Sequence, residues 1–251
     1  MDLELLSRVA LVTGSSRGLG LVIARKLADE GCLVVLNGRD SVVLEKSRQQ
    51  LDNSSLALKA DVTSPDECAW LIRQIEARFG RLDVLVCNVG SGMSVPPGEE
   101  SPEEWSRVLS LNLNSATNVI ATAEHLLSAS RGVIVCISSI CGQETLGAPV
   151  TYSVAKAALN TYVRGISRPY AAKGIRINAV APGNLIYDGS VWQRKLAEDP
   201  SAVRTMLDRE VALRRLGTPE EIADWVVFLS SPRASFATGE TFVVDGGQVR
   251  S

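Results

Sequence analysis

The chain has no excess of positive charge. Its 251 residues include 26 lysines and arginines against 28 aspartates and glutamates, a formal net charge of −2, and a single histidine. Proteins that bind nucleic acids usually carry a basic patch, so we expect no nucleic-acid partner. The five cysteines form neither a Cys-x-x-Cys pair nor a cluster with histidine, so we expect no metal site.

Long apolar runs are also missing. The longest of them fall far short of the roughly 20 residues that a helix needs to span a bilayer. The acidic opening, Met1-Asp2-Leu3-Glu4, lacks the basic region and apolar stretch of a signal peptide. The cysteines are scattered and lie mostly in apolar runs, which favours buried, reduced thiols. We therefore expect no membrane partner and a cytoplasmic location.

What the sequence does contain is a regular alternation of β-rich and helical segments. Apolar runs typical of strands occupy residues 9–12, 33–36, 84–87, 133–137, 175–180 and 242–244, with a weaker run at 55–59. Helical patterns cover residues 18–30, 41–52, 64–79, 102–128, 151–172 and 219–230. Strands without a polar face imply burial on both sides, as in parallel sheets. The alternation predicts an α/β, doubly wound Rossmann fold with a mostly parallel seven-stranded sheet and helices on both faces.

No linker or repeat interrupts the alternation, so we expect a single Rossmann-type domain over residues 1–251. One segment, at about residues 184–215, breaks the pattern after the penultimate strand. In a doubly wound sheet, an insertion beyond the carboxyl end of a strand lies over the ligand crevice. We interpret this segment as a substrate lid.

A glycine-rich turn joins the first strand to the first helix. It reads Thr13-Gly14-Ser15-Ser16-Arg17-Gly18-Leu19-Gly20. Glycines let the backbone turn tightly and approach a pyrophosphate, while the helix N-terminus supplies free N–H groups and the positive end of a dipole. Since the turn stands between a strand and a helix, it predicts a dinucleotide-binding site.

The end of the second strand bears on the choice between NAD(H) and NADP(H). An acidic residue there would bond the ribose hydroxyls and repel a 2′-phosphate, but the sequence has Gly38 at that place. Arg39 and Arg17 can pair with a phosphate, and they favour NADP(H). Asp40 weakens that preference, and solvated surface arginines are the alternative interpretation.

A tyrosine and a lysine four residues apart are the candidate catalytic pair. Tyr152 and Lys156 lie on one predicted helix, where that spacing places both side chains on one face. A nearby positive charge favours the phenolate and lowers a tyrosine pKa from about 10. Ser139 ends the fifth strand, and its hydroxyl could hold a substrate carbonyl. An amphipathic surface pair is the alternative interpretation of Tyr152 and Lys156.

In combination with further motifs, these residues resemble the short-chain dehydrogenase/reductase family. The further motifs are Asp61-Val62, Cys87-Asn88-Val89-Gly90, Asn112, Pro182-Gly183 and Val244-Asp245-Gly246-Gly247. They occur in the family's order over essentially the whole chain. The resemblance implies hydride transfer between a nicotinamide cofactor and a secondary alcohol or ketone.

The resemblance also implies a role for each matching residue. Tyr152 is similar to the general acid/base, Lys156 to the residue that lowers its pKa and bonds the nicotinamide ribose, and Ser139 to the carbonyl-orienting serine. Ser138 is a weaker candidate than its neighbour, and Asn112 resembles the asparagine that holds a proton-relay water. The implied cofactor contacts beyond the glycine turn are Asp61, Val62, Asn88, Gly90, Pro182, Gly183 and Ile186, the last through its backbone.

The sequence departs from the family pattern in two places. Val89 replaces an alanine, and the stretch 184–188, Asn-Leu-Ile-Tyr-Asp, lacks the threonine that often follows the Pro-Gly pair and bonds the cofactor. Pro169 predicts a kink about three turns beyond the catalytic pair. His125 has no catalytic partner motif, so we predict a structural role for it.

The substrate class stays open between two alternatives. The closing segment 214–222 resembles 3-oxoacyl thioester reductases of the carrier-protein type, whereas the lid carries residues suited to a sugar or polyol: Asn184, Tyr187, Asp188, Trp192, Gln193 and Arg194. A non-catalytic, cofactor-sensing regulator is a third possibility, which the presence of all four catalytic candidates disfavours. Family members commonly pair through the helices at 102–128 and 151–172, which implies a homo-oligomer, either a dimer or a tetramer.

Overall fold

The strands of the sheet are buried on both faces, as their apolar sequences require. The computed structural model describes residues 1–51 and 55–250. Within them one sheet runs in the order β3-β2-β1-β4-β5-β6-β7, with every neighbouring pair parallel. The strands are β1 (Val9–Val12), β2 (Leu33–Gly38), β3 (Leu56–Lys59), β4 (Val84–Cys87), β5 (Val133–Ile137), β6 (Arg176–Pro182) and β7 (Thr241–Val244). The predicted Rossmann fold is confirmed, and the sheet is parallel throughout.

Helices cover the sheet on both sides. They are α1 (Gly18–Asp29), α2 (Ser41–Arg48), α3 (Pro65–Phe79), α4 (Pro102–Leu109), α5 (Ser115–Ser130), α6 (Val150–Ala171), α7 (Val191–Glu198), α8 (Pro200–Glu210) and α9 (Pro219–Ser230). The predicted helix at 41–52 ends earlier, at Arg48, and its last residue lies outside the described residues. None of the helices in the described part of the chain is long and apolar enough to cross a membrane.

Alternate residues of each strand enter two separate cores. In β1, Val9 and Leu11 pack with residues of α3, α5 and α6, whereas Ala10 and Val12 pack with residues of α1, α2 and α9. Side chains of a strand point alternately to opposite faces, so an uninterrupted apolar run fills both cores at once. This explains why the strand runs were recognisable in the sequence.

The predicted continuous helix at 102–128 is wrong in its middle. A π-helical turn, Ser110–Asn114, separates α4 from α5, and α5 continues to Ser130. The amide of Asn112 bonds the backbone of Ser91 in both directions, accepting at 2.9 Å and donating at 3.1 Å. We attribute the π-helical turn to these hydrogen bonds, because single π-turns often occur where a helix side chain must reach a specific partner.

Residues 184–215 contain two short helices, α7 and α8, joined at Asp199. Helix α7 buries none of its residues, and α8 buries only Val203. Few buried apolar contacts mean a low local free energy of opening. These two helices therefore make few buried apolar contacts with the rest of the protein.

Asn37, at the penultimate position of β2, joins three neighbouring segments. Its side chain is buried and donates to the carbonyls of Leu58, at 3.2 Å, and Ala60, at 3.1 Å. Its backbone exchanges hydrogen bonds with Ser15 of the glycine turn, at 2.9 Å and 3.0 Å. This one residue therefore fixes the glycine turn against β2 and the segment that follows β3.

Replacing Asn37 with alanine should destabilise the fold. The substitution leaves the carbonyls of Leu58 and Ala60 without their side-chain donor, and each buried unsatisfied group costs roughly 1–3 kcal/mol. We expect the free energy of unfolding to fall by about 2–4 kcal/mol, measured by urea denaturation followed by circular dichroism. The matched control, Asn184→Ala in the half-buried lid base, should change it by less than about 0.5 kcal/mol. Equal losses in the two variants would contradict this assignment.

Candidate active site

The site lies where the strand order reverses, between β1 and β4. In a doubly wound sheet the loops that leave these two strands diverge to opposite faces and open a crevice. Asn88, just after β4, spans the crevice floor by donating its amide to the carbonyls of Thr13, at 3.0 Å, and Gly14, at 3.1 Å. The loop after β4 is thereby fixed to the glycine turn.

The glycine turn has no room for side chains at its critical positions. A Cβ placed on Gly20 would stand 2.5 Å from the carbonyl oxygen of Gly14. Gly18 has a φ of 57°, in the left-handed region that glycine adopts without strain. The backbone at the start of α1 therefore stays bare, as the approach of a pyrophosphate requires.

Helix α1 begins without a side-chain cap, unlike α3, α4 and α9. Arg17 occupies the N-cap with no capping hydrogen bond, and the first turn holds no acidic residue. By contrast, Ser64, Ser101 and Thr218 cap α3, α4 and α9 with their hydroxyls. The free N–H groups and the positive end of the α1 dipole fit a phosphate group.

The end of the crevice beside β2 carries charges of both signs. Gly38 closes β2 beside Ser16, whose hydroxyl would stand 3.3 Å from a Cβ at Gly38. Arg39 is exposed and lies 3.8 Å from the carboxylate of Asp61. Asp40 instead accepts hydrogen bonds from the N–H groups of Val42 and Val43 and caps α2. Asp40 therefore serves the helix rather than the crevice.

Asp61 and Val62 follow β3 at the same edge of the sheet. Asp61 accepts hydrogen bonds from the backbone and the hydroxyl of Thr63, at 3.0 Å and 2.7 Å. The Val62 side chain is buried, and its carbonyl accepts from the thiol of Cys68 at 3.4 Å. The structure places Asp61 beside Arg39, and the family resemblance implies that adenine binds at Asp61 and Val62.

Ser139 and Tyr152 meet at the carboxyl end of β5. Ser139 is buried, and its hydroxyl accepts the N–H of Cys141 at 3.2 Å and lies close enough to the phenol of Tyr152 to lower its pKa. Ser138 points elsewhere, since its hydroxyl donates to the backbone carbonyl of Lys156 at 3.4 Å. Of the two serines, Ser139 is the one whose hydroxyl faces the candidate catalytic tyrosine.

The environment of Tyr152 favours the protonated phenol. Burial raises its pKa to about 12; the hydrogen bond with Ser139 lowers the pKa, while Cys141 and Tyr187 add to the rise. The sequence predicted a pKa lowered by Lys156, and for the chain by itself that prediction is wrong. The physical reason is desolvation, which penalises the charged phenolate more than the neighbouring groups stabilise it.

Lys156 is buried beneath the tyrosine. Its ammonium donates to the carbonyl of Ile137 at 2.8 Å and lies 5.9 Å from the centre of the Tyr152 ring. Burial lowers the pKa of Lys156 to about 8. Lys156 thus keeps its proton at neutral pH, although its pKa lies only slightly above that pH.

Asn112 and Lys156 converge on Gly90, in the loop after β4. A Cβ on Gly90 would stand 2.8 Å from Oδ1 of Asn112 and 3.0 Å from Nζ of Lys156. The amide of Asn112 is buried and already bonded to the backbone of Ser91 and Val108. Both amide N–H donors of Asn112 are thus engaged, so a water at this residue would donate to one of its oxygens.

Pro182 is the last residue of β6, and Gly183 and Ile186 follow it. Gly183 packs against Asp245, which would stand 2.8 Å from a Cβ at that position. The N–H of Ile186 donates to the carbonyl of Gly217 at 2.9 Å. A cofactor contact through the Ile186 N–H is thereby excluded, and only its carbonyl stays available.

Two further side chains lie at the site: Cys141, which the sequence analysis did not select, and Tyr187, which it selected only as a possible sugar ligand. Cys141 is the one half-buried cysteine of the five and lies near the phenol of Tyr152. Tyr187, at the base of the lid, lies against Gly18. The missing family threonine in residues 184–188 indicated that another side chain there, such as Tyr187, could contact the cofactor. No sequence pattern indicated Cys141. His125 lies away from this site, on α5, with its ring 3.6 Å from Glu76 on α3.

Comparison with known proteins gives consistent matches over nearly the full chain. Residues 14–248 match the family described as enoyl-(acyl carrier protein) reductase. A cis-4-hydroxycyclohexanecarboxylate dehydrogenase from Sinomonas cyclohexanicum is 37% identical over 96% of each chain. A 3-oxoacyl-[acyl-carrier-protein] reductase from Vibrio cholerae is 32% identical over 98% of each chain.

A solved structure extends the comparison to three dimensions. L-sorbose reductase from Gluconobacter frateurii, in complex with NADPH and L-sorbose, has a TM-score of 0.93 at 29% identity and covers 100% of both chains. The shared strand order and the residues gathered between β1 and β6 agree with these relationships. The chain belongs to the short-chain dehydrogenase/reductase family, oxidoreductases that act on alcohol and ketone groups.

Proposed function

We propose that this enzyme uses NADPH to reduce a ketone to a secondary alcohol, and that its substrate is a 3-oxoacyl thioester. The observation that carries the proposal is the meeting of Ser139, Tyr152 and Lys156 at the carboxyl end of β5. The bare glycine turn lies at the same edge of the sheet. Hydride transfer and proton transfer can then take place at one carbonyl.

The residues fit a nicotinamide dinucleotide. The glycine turn and the uncapped start of α1 would hold the pyrophosphate, with Asp61 and Val62 at the adenine and Lys156 at the nicotinamide ribose. Gly90 leaves open the space that a Cβ would take from Asn112 and Lys156. When bound, the cofactor supplies the hydride.

The side chains supply the proton and orient the substrate. The Ser139 hydroxyl orients the substrate carbonyl, and Tyr152 donates a proton to its oxygen as the bond order falls. A pKa of about 12 keeps the phenol protonated at neutral pH, which suits reduction more than alcohol oxidation. The Lys156 ammonium stabilises the phenolate left behind, because an opposite charge nearby favours the ionised form.

The preference for NADP(H) over NAD(H) rests on the end of β2. Gly38 offers no carboxylate to the ribose, Asp40 is engaged in capping α2, and the exposed Arg39 and Arg17 flank this end. Asp61 offsets part of the Arg39 charge, at 3.8 Å. A 2′-phosphate would compete with that carboxylate for the guanidinium, and a doubly charged phosphate binds arginine strongly.

The lid bears on the choice of substrate. Gln193 accepts the N–H of Gly189 at 2.7 Å, and the Trp192 ring packs under the ammonium of Lys195 at 4.6 Å. These side chains stabilise the lid itself, which weakens their claim as sugar ligands and supports the thioester. A polar ketone is the second candidate, supported by the similarity to L-sorbose reductase.

We also propose a homo-oligomer, either a dimer or a tetramer, in the cytoplasm. Val150 and Val154 are exposed and lie four residues apart on α6, so they form an apolar strip on one face. All five cysteines are free thiols, which fits a reducing compartment. Sedimentation velocity of the purified protein tests the assembly, and a monomer at micromolar concentration would contradict it.

Tyr152→Phe should abolish turnover while preserving the cofactor site. Loss of the acid removes a contribution of about 10²–10⁴-fold to the rate, whereas the dissociation constant for NADPH should stay within about twofold, since a phenyl ring fills the same space. Steady-state kinetics and fluorescence titration measure the two effects. Tyr162→Phe, on the same helix but packed against the core, is the control and should keep full activity. Full activity in Tyr152→Phe would refute the mechanism.

Arg39→Ala should reduce the preference for NADPH over NADH. Removal of the guanidinium weakens NADPH binding by about tenfold, the value of one charge-assisted hydrogen bond, and leaves NADH nearly unaffected. Titrations with both cofactors measure the ratio. Arg233→Ala, at a distant ion pair with Glu4, is the control. An unchanged ratio, or tighter NADH binding by the wild type, would contradict the assignment.

A substrate panel separates the two substrate classes. NADPH consumption is followed by absorbance with acetoacetyl thioesters, keto-sugars and simple cyclic ketones. We expect the fastest turnover with the thioesters, because Gln193 and Trp192 form contacts within the lid itself and are less available to bind a sugar. Turnover of polar ketones alone would transfer the assignment to the sugar and polyol class.

A further inference from the structure

Tyr187 is held at a fixed place in the lid base. On its N-terminal side, the Ile186 N–H donates to the Gly217 carbonyl at 2.9 Å, and the Gly217 N–H donates to the Asn184 carbonyl at 2.9 Å. On its C-terminal side, the N–H of Tyr187 donates to the Ser190 hydroxyl at 3.2 Å, and its carbonyl accepts the Ser190 N–H at 2.9 Å. The backbone is thus fixed on both sides of this residue.

The ring of Tyr187 lies against the second glycine of the turn. A Cβ placed on Gly18 would stand 3.0 Å from Cε2 of Tyr187, 3.6 Å from Cδ2 and 3.7 Å from Cζ. The glycine at this position leaves the backbone bare so that a pyrophosphate can approach it. Cζ bears the phenol oxygen, so the hydroxyl lies at the border of the pyrophosphate seat.

The same phenol is near the catalytic tyrosine. Tyr187 is among the groups that act electrostatically on Tyr152. Tyr187 thus contacts the glycine turn and is close enough to Tyr152 to raise the pKa of that phenol. The Tyr187 side chain is half-buried, so part of it stays accessible.

We propose that Tyr187 is a positioning residue whose hydroxyl donates a hydrogen bond to the cofactor pyrophosphate and so joins the lid base to the bound nicotinamide half. The inference rests on the proposed cofactor site. In this chain the Tyr187 phenol donates the hydrogen bond to the cofactor that a threonine hydroxyl often donates in relatives. The ring adds a contact with Gly18 that a threonine is too short to make.

The test compares four variants in direct binding of two ligands. NADPH carries the pyrophosphate and the nicotinamide, whereas 2′,5′-ADP carries only the adenosine end. Tyr187→Phe removes the hydroxyl, Tyr187→Thr replaces the ring but keeps a hydroxyl, and Tyr187→Ala removes both. The control, Trp192→Ala, removes a lid aromatic whose ring packs on Lys195.

We expect Tyr187→Phe to weaken NADPH binding by about tenfold, one charge-assisted hydrogen bond, and Tyr187→Ala by at least as much. Tyr187→Thr should stay within about threefold of the wild type, because a hydroxyl is retained. All variants should bind 2′,5′-ADP within about twofold, and Trp192→Ala should match the wild type with both ligands.

Three results would overturn the proposal. A phenylalanine variant that binds NADPH as well as the wild type would show that the ring only packs. A threonine variant weaker than the phenylalanine variant would show the same, because packing rewards the ring and not the hydroxyl. Equal weakening of NADPH and 2′,5′-ADP would indicate general damage to the crevice. If the wild type bound neither ligand, the proposed function itself would fail, which is a separate outcome.

Discussion

Burial of a parallel sheet on both faces is the constraint on which the rest of this structure depends. Parallel strands must return to the same end through crossover helices, and here those helices cover both sides. The carboxyl ends of β1, β4, β5 and β6 consequently meet at one edge. Polar residues that would be costly inside either core collect there, where their hydrogen bonds can be satisfied at the loops.

The same burial sets the protonation states at the site. Desolvation raises the pKa of Tyr152 and lowers the pKa of Lys156, so each group is driven toward its uncharged form. Burial therefore favours a protonated phenol and an ammonium close to losing its proton, and it holds the pKa of Tyr152 above the pKa of Lys156.

Much of the fold could be predicted because it depends on local patterns in the sequence. The strand runs fill two cores at once, and the turn from Thr13 to Gly20 needs glycine where the backbone is crowded. The Tyr152–Lys156 spacing follows from helix geometry alone. Their place beside Ser139 required only that β5 and α6 be adjacent along the chain.

Other features depend on contacts between distant segments, which no local pattern encodes. The π-helical turn forms because Asn112 bonds Ser91, far away in the sequence. The pKa of Tyr152 depends on how deeply α6 is packed, and the engagement of the Ile186 N–H depends on Gly217. The structure was needed to identify the contact of Asp40 with the start of α2 and the contact of Tyr187 with Gly18.

The uncapped start of α1 has a consequence for the stability of the folded protein. Its N–H groups have no side-chain acceptor, so the folded state without a phosphate ligand lacks a contribution of about 0.5–2 kcal/mol that a capping residue provides. A ligand that binds only the folded chain adds free energy of unfolding as its concentration rises above its dissociation constant. If the proposed nucleotide cofactor binds at this helix, the resistance of the enzyme to thermal unfolding rises with the concentration of that cofactor.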